Sequence, residues 1–347
     1  MKRLSSLLLV CLLFFSAACS DEPATENTPS EEEQKGYLFA LPGDEAILEM
    51  RALGNGFVLL SRADGKWNVT YTDITNKILT ETLLSVPADM EEPPVFETFS
   101  DDEEFGFVYL NHRLFFVSPQ TGQYAEYTPP EGVDLTKALY QGGEFYYPAV
   151  DGVLSSSFQF ESYSVLNSAP IENFGGLAAL DGKTQTVYFA TRNDEGFTGI
   201  SSFVRGKEGF RVVCETAFDA FYPLKNGCVL LTKAASDGVT YTRLDCKNGE
   251  KQSLFLPIKR NYRVLSHSAN GACLGGICYK DIDKNRTALD VYDLNHGSLL
   301  SRYDLVYAAL YDQLAVSDSG QYVLYCRKTR DGRVVCYLDV TENGAAK

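Results

Sequence analysis

Residues 315–340 read AVSDSGQYVLYCRKTRDGRVVCYLDV. Asp318-Ser319-Gly320 has turn chemistry, and Tyr322 to Cys326 form an apolar-rich strand. Arg330-Asp331-Gly332 reads as a tight reversal, after which Val334 to Leu338 form a second strand ending on Asp339. One such unit cannot bury its own apolar face, whereas several side by side can. Moved back along the chain, the same pattern opens at Gly271, Gly227, Gly182, Gly143, Gly106 and Gly56. From Gly56 to Gly320 the spacings are 50, 37, 39, 45, 44 and 49 residues. A four-stranded propeller blade takes about 40–50 residues. The chain is therefore read as all-β, a β-propeller of seven four-stranded blades, with six or eight left open because the Gly143 passage is the weakest.

No stretch keeps a 3.6-residue apolar period over three turns, which argues against helices. Two stacked sandwiches are the structural alternative, since they too show strands about 8–12 residues apart. They do not account for the longer period. Closure offers a check. The last unit has strands near Leu314–Ser317, Tyr322–Cys326 and Val334–Leu338, and so lacks an outer one. Tyr37-Leu38-Phe39-Ala40-Leu41 can supply it, which would leave no open sheet edge between the first and last blades. The propeller is placed at residues 37–347 as a single domain.

Ser317-Asp318-Ser319-Gly320-Gln321-Tyr322-Val323-Leu324-Tyr325, with Arg330-Asp331-Gly332 and Tyr337-Leu338-Asp339, resembles a blade of the TolB-type bacterial propellers. Their repeat commonly runs S-P-D-G-K, an apolar strand, a D-G hairpin and a closing aliphatic-Asp. The match is partial in the Gly227 and Gly271 units and faint earlier, and Asp318 stands where Pro is usual. The resemblance implies a propeller of the cell envelope that serves in protein contacts, and it carries no catalytic residue. A WD-repeat signature is absent, Trp67 being the one tryptophan.

The chain begins with a positive pair, Lys2 and Arg3, and an apolar run from Leu4 to Phe15. That run suits a signal peptide and falls short of the roughly 20 apolar residues that span a bilayer. Ser16-Ala17-Ala18-Cys19 resembles the lipobox of bacterial lipoproteins, with Ser16 where Leu is commoner. The resemblance implies a signal peptide over 1–18 and lipid attachment at Cys19. The competing reading is an ordinary secretory signal with an incidental cysteine. Residues 19–36 are acidic, contain two prolines and lack apolar periodicity, so they are expected to be a disordered tether. The expected address is extracytoplasmic, lipid-anchored to the cell membrane or outer membrane.

Without Lys2 and Arg3 the chain carries 29 basic and 46 acidic side chains. A net charge near −17 repels nucleic-acid phosphates and anionic lipid heads, so nucleic-acid partners are not expected. Beyond Cys11 and Cys19 lie seven cysteines, at 214, 228, 246, 273, 278, 326 and 336. The odd count and irregular spacing argue against a disulfide framework and for small buried hydrophobes. One pair could join. A three-residue loop at 330–332 makes Cys326 face Cys336 as a candidate disulfide, and a two-residue loop puts them on opposite faces.

Catalytic signals are sparse. His112, His267 and His296 fall in three different units without metal-ligand spacing, and no G-x-S-x-G elbow occurs. His267 is placed at a strand end. Asp281-Ile282-Asp283 imitates a calcium loop, but Arg286 and Tyr292 occupy the positions that need Gly and Glu. A hairpin turn between Ile277–Tyr279 and Leu289–Tyr292 explains the stretch better. Cys273 and Cys278 point to opposite faces of one strand unless Gly275-Gly276 makes a bulge, which argues against a zinc knuckle. The acidic run Asp101-Asp102-Glu103-Glu104 is read as solvated loop. The 21 Tyr and 21 Phe invite glycan stacking, although strands favour aromatics anyway. No catalytic residue, metal or cofactor is assigned.

The function expected is a non-enzymatic binding or scaffold module for a protein or peptide partner in the envelope. A glycan or small-ligand receptor is the second reading, and a propeller lyase or glycosidase the rival from another class. Two carboxylates about 5–10 Å apart, one with a raised pKa, would favour the enzyme.

Overall fold

The computed structural model describes residues 37–41, 46–53, 56–73, 78–88, 95–97, 106–110, 113–118, 123–128, 137–141, 144–149, 152–157, 163–166, 171–281, 286–305, 310–329 and 333–340. The signal, Cys19 and the tether expected over 1–36 lie outside the described residues. So do His112, the 101–104 acidic run and the 330–332 reversal.

The described residues form seven four-stranded antiparallel sheets. The first holds Ala46–Leu53, Gly56–Ala63, Lys66–Asp73 and Ile78–Pro87. The second and third lie within 95–127 and 139–165. The fourth holds Phe174–Asp181, Thr186–Asn193, Gly196–Val204 and Arg211–Phe218. The fifth holds Ala220–Pro223, Cys228–Ala235, Gly238–Asp245 and Lys251–Pro257. The sixth holds Tyr262–His267, Cys273–Asp281, Arg286–Asp293 and Ser298–Leu305. The seventh takes Leu310–Val316, Tyr322–Lys328 and Val334–Val340 and adds Tyr37–Leu41 from the other end of the body. That strand pairs antiparallel with Val334–Val340, Leu41 opposite Val334. The expected closure is therefore present.

Apolar clusters join the sheets into a ring. Phe57 and Leu59 pack with Leu324 and Leu338 between the first and seventh sheets. Val58 and Leu60, on the other face of the same strand, pack with Phe115 and Val117 of the second. Phe116 meets Tyr140 and Phe145, linking the second sheet to the third. Further clusters join third to fourth, fourth to fifth, fifth to sixth and sixth to seventh. Each sheet is thus covered on both faces. That is why its middle strands read as continuous apolar runs such as Phe57-Val58-Leu59-Leu60, each residue at most 1% exposed. This arrangement is a β-propeller. First strands contact each other between the third and fourth, fourth and fifth, sixth and seventh, and seventh and first sheets, and so lie nearest the axis.

The recurrent glycine has a definite role in the later sheets. Gly227, Gly271 and Gly320 have φ of 74°, 67° and 67°, in the turn between the first two strands of their sheets. In two of these turns the same bonds recur. Gly320 N–H donates to Ser317 O, and Tyr322 N–H donates to the Ser317 hydroxyl. Gly271 N–H donates to Ser268 O, and Cys273 N–H donates to the Ser268 hydroxyl. A Cβ on Gly271 would lie 2.2 Å from Leu224 of the fifth sheet, and one on Gly320 2.7 Å from Cys273 Sγ of the sixth. Each turn therefore nests on the preceding sheet where no side chain fits. Side chains tie the nests together: Asn270 N–H donates to Asp318 Oδ1 at 2.9 Å, and Lys225 Nζ lies 3.7 Å from Asp318 Oδ2.

Candidate functional site

Two places bring polar groups together. The first is on the inner, first strands of the sheets. Tyr222 and His267 come from the first strands of the fifth and sixth sheets, their ring centroids 5.4 Å apart. His267 ends its strand, as the sequence suggests. Burial is the main cause that lowers its pKa, to about 4; a bond to Ser268 O opposes this and the charge of Arg51 assists it. Arg51, like His267, belongs to the first strand of its sheet. Arg51 is ion-paired with Glu49. Burial raises the Glu49 pKa and Arg51 partly offsets that. These strands thus carry an acid–guanidinium pair, a neutral imidazole and a phenol.

The second place is a cleft of about 430 Å³ at one end of the fourth and fifth sheets. It lies where the fourth sheet makes its first-to-second and third-to-fourth strand connections and the fifth sheet turns after Asp245. Asp181 ends the first strand of the fourth sheet, and its side chain is 7% exposed. It accepts hydrogen bonds from the Thr184 hydroxyl at 2.7 Å and from Lys183 N–H at 3.2 Å, and Lys247 Nζ stands 3.6 Å away. Burial, the largest single influence, raises the carboxyl's pKa, but Thr184, Lys247 and Lys183 N–H together outweigh it and the net shift is downward. Asp181 therefore stays ionised. Tyr188 forms part of the lining, its pKa raised to about 12 by burial and by Cys246, Asp181 and Asp245, with Arg211 opposing. Its phenol remains a neutral donor.

The cleft wall carries three cations, Lys207, Arg211 and Lys247. Among the described residues neither Lys207 nor Arg211 has a carboxylate partner. Beside them Phe210 is 47% exposed although its ring makes edge contacts with Phe189 and Phe203 at 5.8 and 6.1 Å. Val212 on the adjoining strand is 55% exposed. The spacing signal that revealed the repeat gave no hint of this cleft. Its groups come from three connections more than sixty residues apart end to end.

Other residues singled out from the sequence are dispersed. His296 sits at an exposed turn with its Nδ1 2.6 Å from Asp293 Oδ2. Gly275 and Gly276 pair in register with Val291 and Asp290, without a bulge at that point. Cys273 accordingly faces the seventh sheet, with Sγ 3.8 Å from Asp318 O, and Cys278 faces the other way, with Sγ 3.9 Å from Asp290 Oδ2. Residues 282–285 join two paired strands, Asp281 opposite Arg286, as a hairpin requires. All seven body cysteines are buried free thiols. Cys326 and Cys336 lie directly opposite each other, the register of the three-residue loop, and Thr329 N–H donates to Arg333 O to close it. Among the described residues no group of three or more His, Cys, Asp or Glu is placed to hold a metal ion. None of their helices is long and apolar enough to cross a membrane.

No protein-family model and no curated protein matches the chain. Solved structures do. A hydrazine synthase structure from Kuenenia stuttgartiensis shares 12% identity at a TM-score of 0.48, over 91% of this chain and 99% of that one. The RRP9 WD40 repeats share 12% identity at 0.49, over 88% and 99%. The U3-55K structure shares 12% identity at 0.46, over 87% and 100%. Likeness at this level bears on no activity, and the propeller assignment rests on the sheet pairing and packing above.

Proposed function

We propose that this chain is a lipid-anchored envelope protein whose propeller is a non-enzymatic binding module for a protein or peptide partner. The observation that carries the reading is the cleft between the fourth and fifth sheets. There strand connections hold Lys207 and Arg211, without carboxylate partners among the described residues, beside an exposed aromatic ring on an otherwise acidic chain. Ligand sites tend to be concave, largely pre-formed, and built from apolar walls with a few convergent polar groups. The lipobox-like Ser16-Ala17-Ala18-Cys19, the acidic sequence over 19–36 and the TolB-type turn chemistry at 317–320 support the address. Crosslinking on intact cells, with mass spectrometry of what is recovered through wild type and through Cys19→Ala, tests both parts. One recurrent envelope partner, lost with Cys19, is the expected outcome. Recovery of the bait alone would sink the scaffold reading.

A second reading has its own observation. Glu49, Arg51, Tyr222 and His267 around the axis suit a glycan or small polar ligand, with stacking from Tyr222 and hydrogen bonds from the ion pair. A lyase or glycosidase would use the same place, with Glu49 as the acid. Glycan arrays and glycosidase screens on wild type and Glu49→Gln separate these from the first reading. Turnover lost in Glu49→Gln would replace the binding module with an enzyme.

A further inference from the structure

We propose that the cleft between the fourth and fifth sheets captures the free C-terminal carboxylate of a peptide ending in an apolar residue. The proposal rests on the binding-module reading and names the chemistry of its ligand.

Charge comes first. The chain has 46 acidic and 31 basic side chains, whereas the cleft lining carries three cations, Lys207, Arg211 and Lys247, against two carboxylates, Asp181 and Glu208. In the cleft, Asp181 already has its acceptors filled by Thr184, Lys183 N–H and Lys247. Lys247 remains 39% exposed at its side chain and can serve a second anion. Arg211 and Lys207 lack carboxylate partners among the described residues. A guanidinium beside an ammonium suits a planar carboxylate, which Arg can bind through two parallel bonds. Asp181, ionised beneath them, repels an anion that goes too deep. It thereby sets a small anion at the rim rather than a highly charged phosphate in the floor.

Shape and polarity come second. Phe210 exposes nearly half its surface while its buried edge is clamped by Phe189 and Phe203. A ring fixed in this way loses little freedom when an apolar side chain packs on it, which favours binding. The floor offers the neutral phenol of Tyr188 and the Thr184–Thr186 hydroxyl pair, 2.7 Å apart, as partners for peptide N–H and C=O groups. The volume of about 430 Å³ accommodates the last one or two residues of a chain.

Calorimetric titration of the full chain with N-acetyl-leucyl-phenylalanine, as the free acid and as its C-terminal amide, tests this. The acid is expected to bind about tenfold more tightly than the amide, the loss set by one charge-assisted hydrogen-bonded pair. Arg211→Gln should abolish that preference, whereas Phe210→Ala should weaken acid and amide alike. Both positions are exposed, and thermal unfolding of the variants verifies their folding. The wild-type comparison alone is decisive should a variant fail to fold. Equal binding of acid and amide, or no binding of either, overturns the proposal, as does acetate binding as tightly as the dipeptide. If the dipeptides fail while cell crosslinking still recovers an envelope partner, this ligand assignment falls and the binding-module reading stands. If crosslinking recovers only the bait, that reading itself has failed.

Discussion

Asp290 and Asp181 are two carboxylates in neighbouring parts of the same ring, and they meet opposite surroundings. Asp290 lies mid-strand in the sixth sheet with its side chain 0% exposed. Arg302, directly opposite on the next strand, donates Nε to Oδ1 and Nη2 to Oδ2, each at 2.5 Å. The Tyr262 hydroxyl also donates to Oδ2, reaching over Gly276 on the strand between. A Cβ at Gly276 would stand 2.7 Å from the Tyr262 ring, so the bond exists because that residue is glycine. Arg260 adds a third residue, its Nη1 3.7 Å from Oδ2. Around Asp290 every nearby cation is engaged by that one carboxylate, although Arg260 stays 42% exposed. Around Asp181 the carboxylate is likewise satisfied, but Lys207 and Arg211 stand beside it with no carboxylate partner among the described residues. The contrast teaches that a filled polar network supports structure, and that the surplus of donors, rather than the buried acid, marks a binding surface.

The largest effect should come from breaking the closed network. Asp290→Ala leaves Arg302 without its partner, and urea unfolding should show a loss of about 3–5 kcal/mol. An Asp290→Leu, Arg302→Leu double variant should recover much of that loss, because removing both charges avoids an unpaired one. A double variant no more stable than Asp290→Ala would contradict this account.

Next in size is a test of the turn nests, which extends the contrast between filled and open surroundings to glycines. Gly271 and Gly65 share a positive φ, 67° and 68°. Gly271 abuts Leu224, whereas a Cβ at Gly65 meets nothing within 4 Å. Gly271→Ala should therefore cost about 1–3 kcal/mol, backbone strain plus overpacking, and Gly65→Ala about 1 kcal/mol from strain alone. Equal melting points for the two variants would rule out a packing role for Gly271.

His267 tests the inner strands by pH. Its folded pKa, about 4, lies below the ordinary histidine value of 6.5, so between these values the unfolded chain binds the extra proton. Stability is full above pH 6.5, falls as pH drops toward 4, and levels off below. The decline attributable to His267 is on the order of 2–3 kcal/mol. His267→Gln should flatten that segment of the stability–pH curve. An unchanged slope would mean the imidazole is as readily protonated in the fold as in the open chain.

The smallest effect belongs to the open pair. Lys247→Gln should cost up to about 1 kcal/mol, as exposed ion pairs do, and the loss should shrink in high salt. Asp181, whose folded pKa is lowered, contributes stability that is present above its unfolded pKa of 3.8 and is lost as pH falls through the folded value. Should Lys247→Gln prove as damaging as Asp290→Ala, the distinction between a closed and an open network fails.

Much of the architecture was legible in the chain. The Gly-turn spacing, the apolar middle strands and the spare strand Tyr37–Leu41 all correspond to observed sheets. These signals are local: a left-handed turn needs glycine, and a strand covered on both faces needs a continuous apolar run. The cysteine register was legible as a choice between two loop lengths, and the pairing of Cys326 with Cys336 selects the three-residue one. The site was not legible. Leu180-Asp181 and Leu289-Asp290 look alike in sequence, each an aliphatic–Asp step in a strand. Nothing adjacent to either announces Lys247, Arg302 or Tyr262.

The sequence by itself determined the all-β character, the repeat and the strand that closes the ring, because backbone conformation and side-chain periodicity are set by neighbours along the chain. Only the tertiary structure decided which carboxylate gathers every nearby cation and which lies beside cations without a carboxylate of their own. That outcome depends on groups brought from 66 residues away at Asp181–Lys247 and across two strands at Tyr262–Asp290. Charge and hydrogen bonding act through space, and the spacing of a repeat says nothing of what will stand beside it.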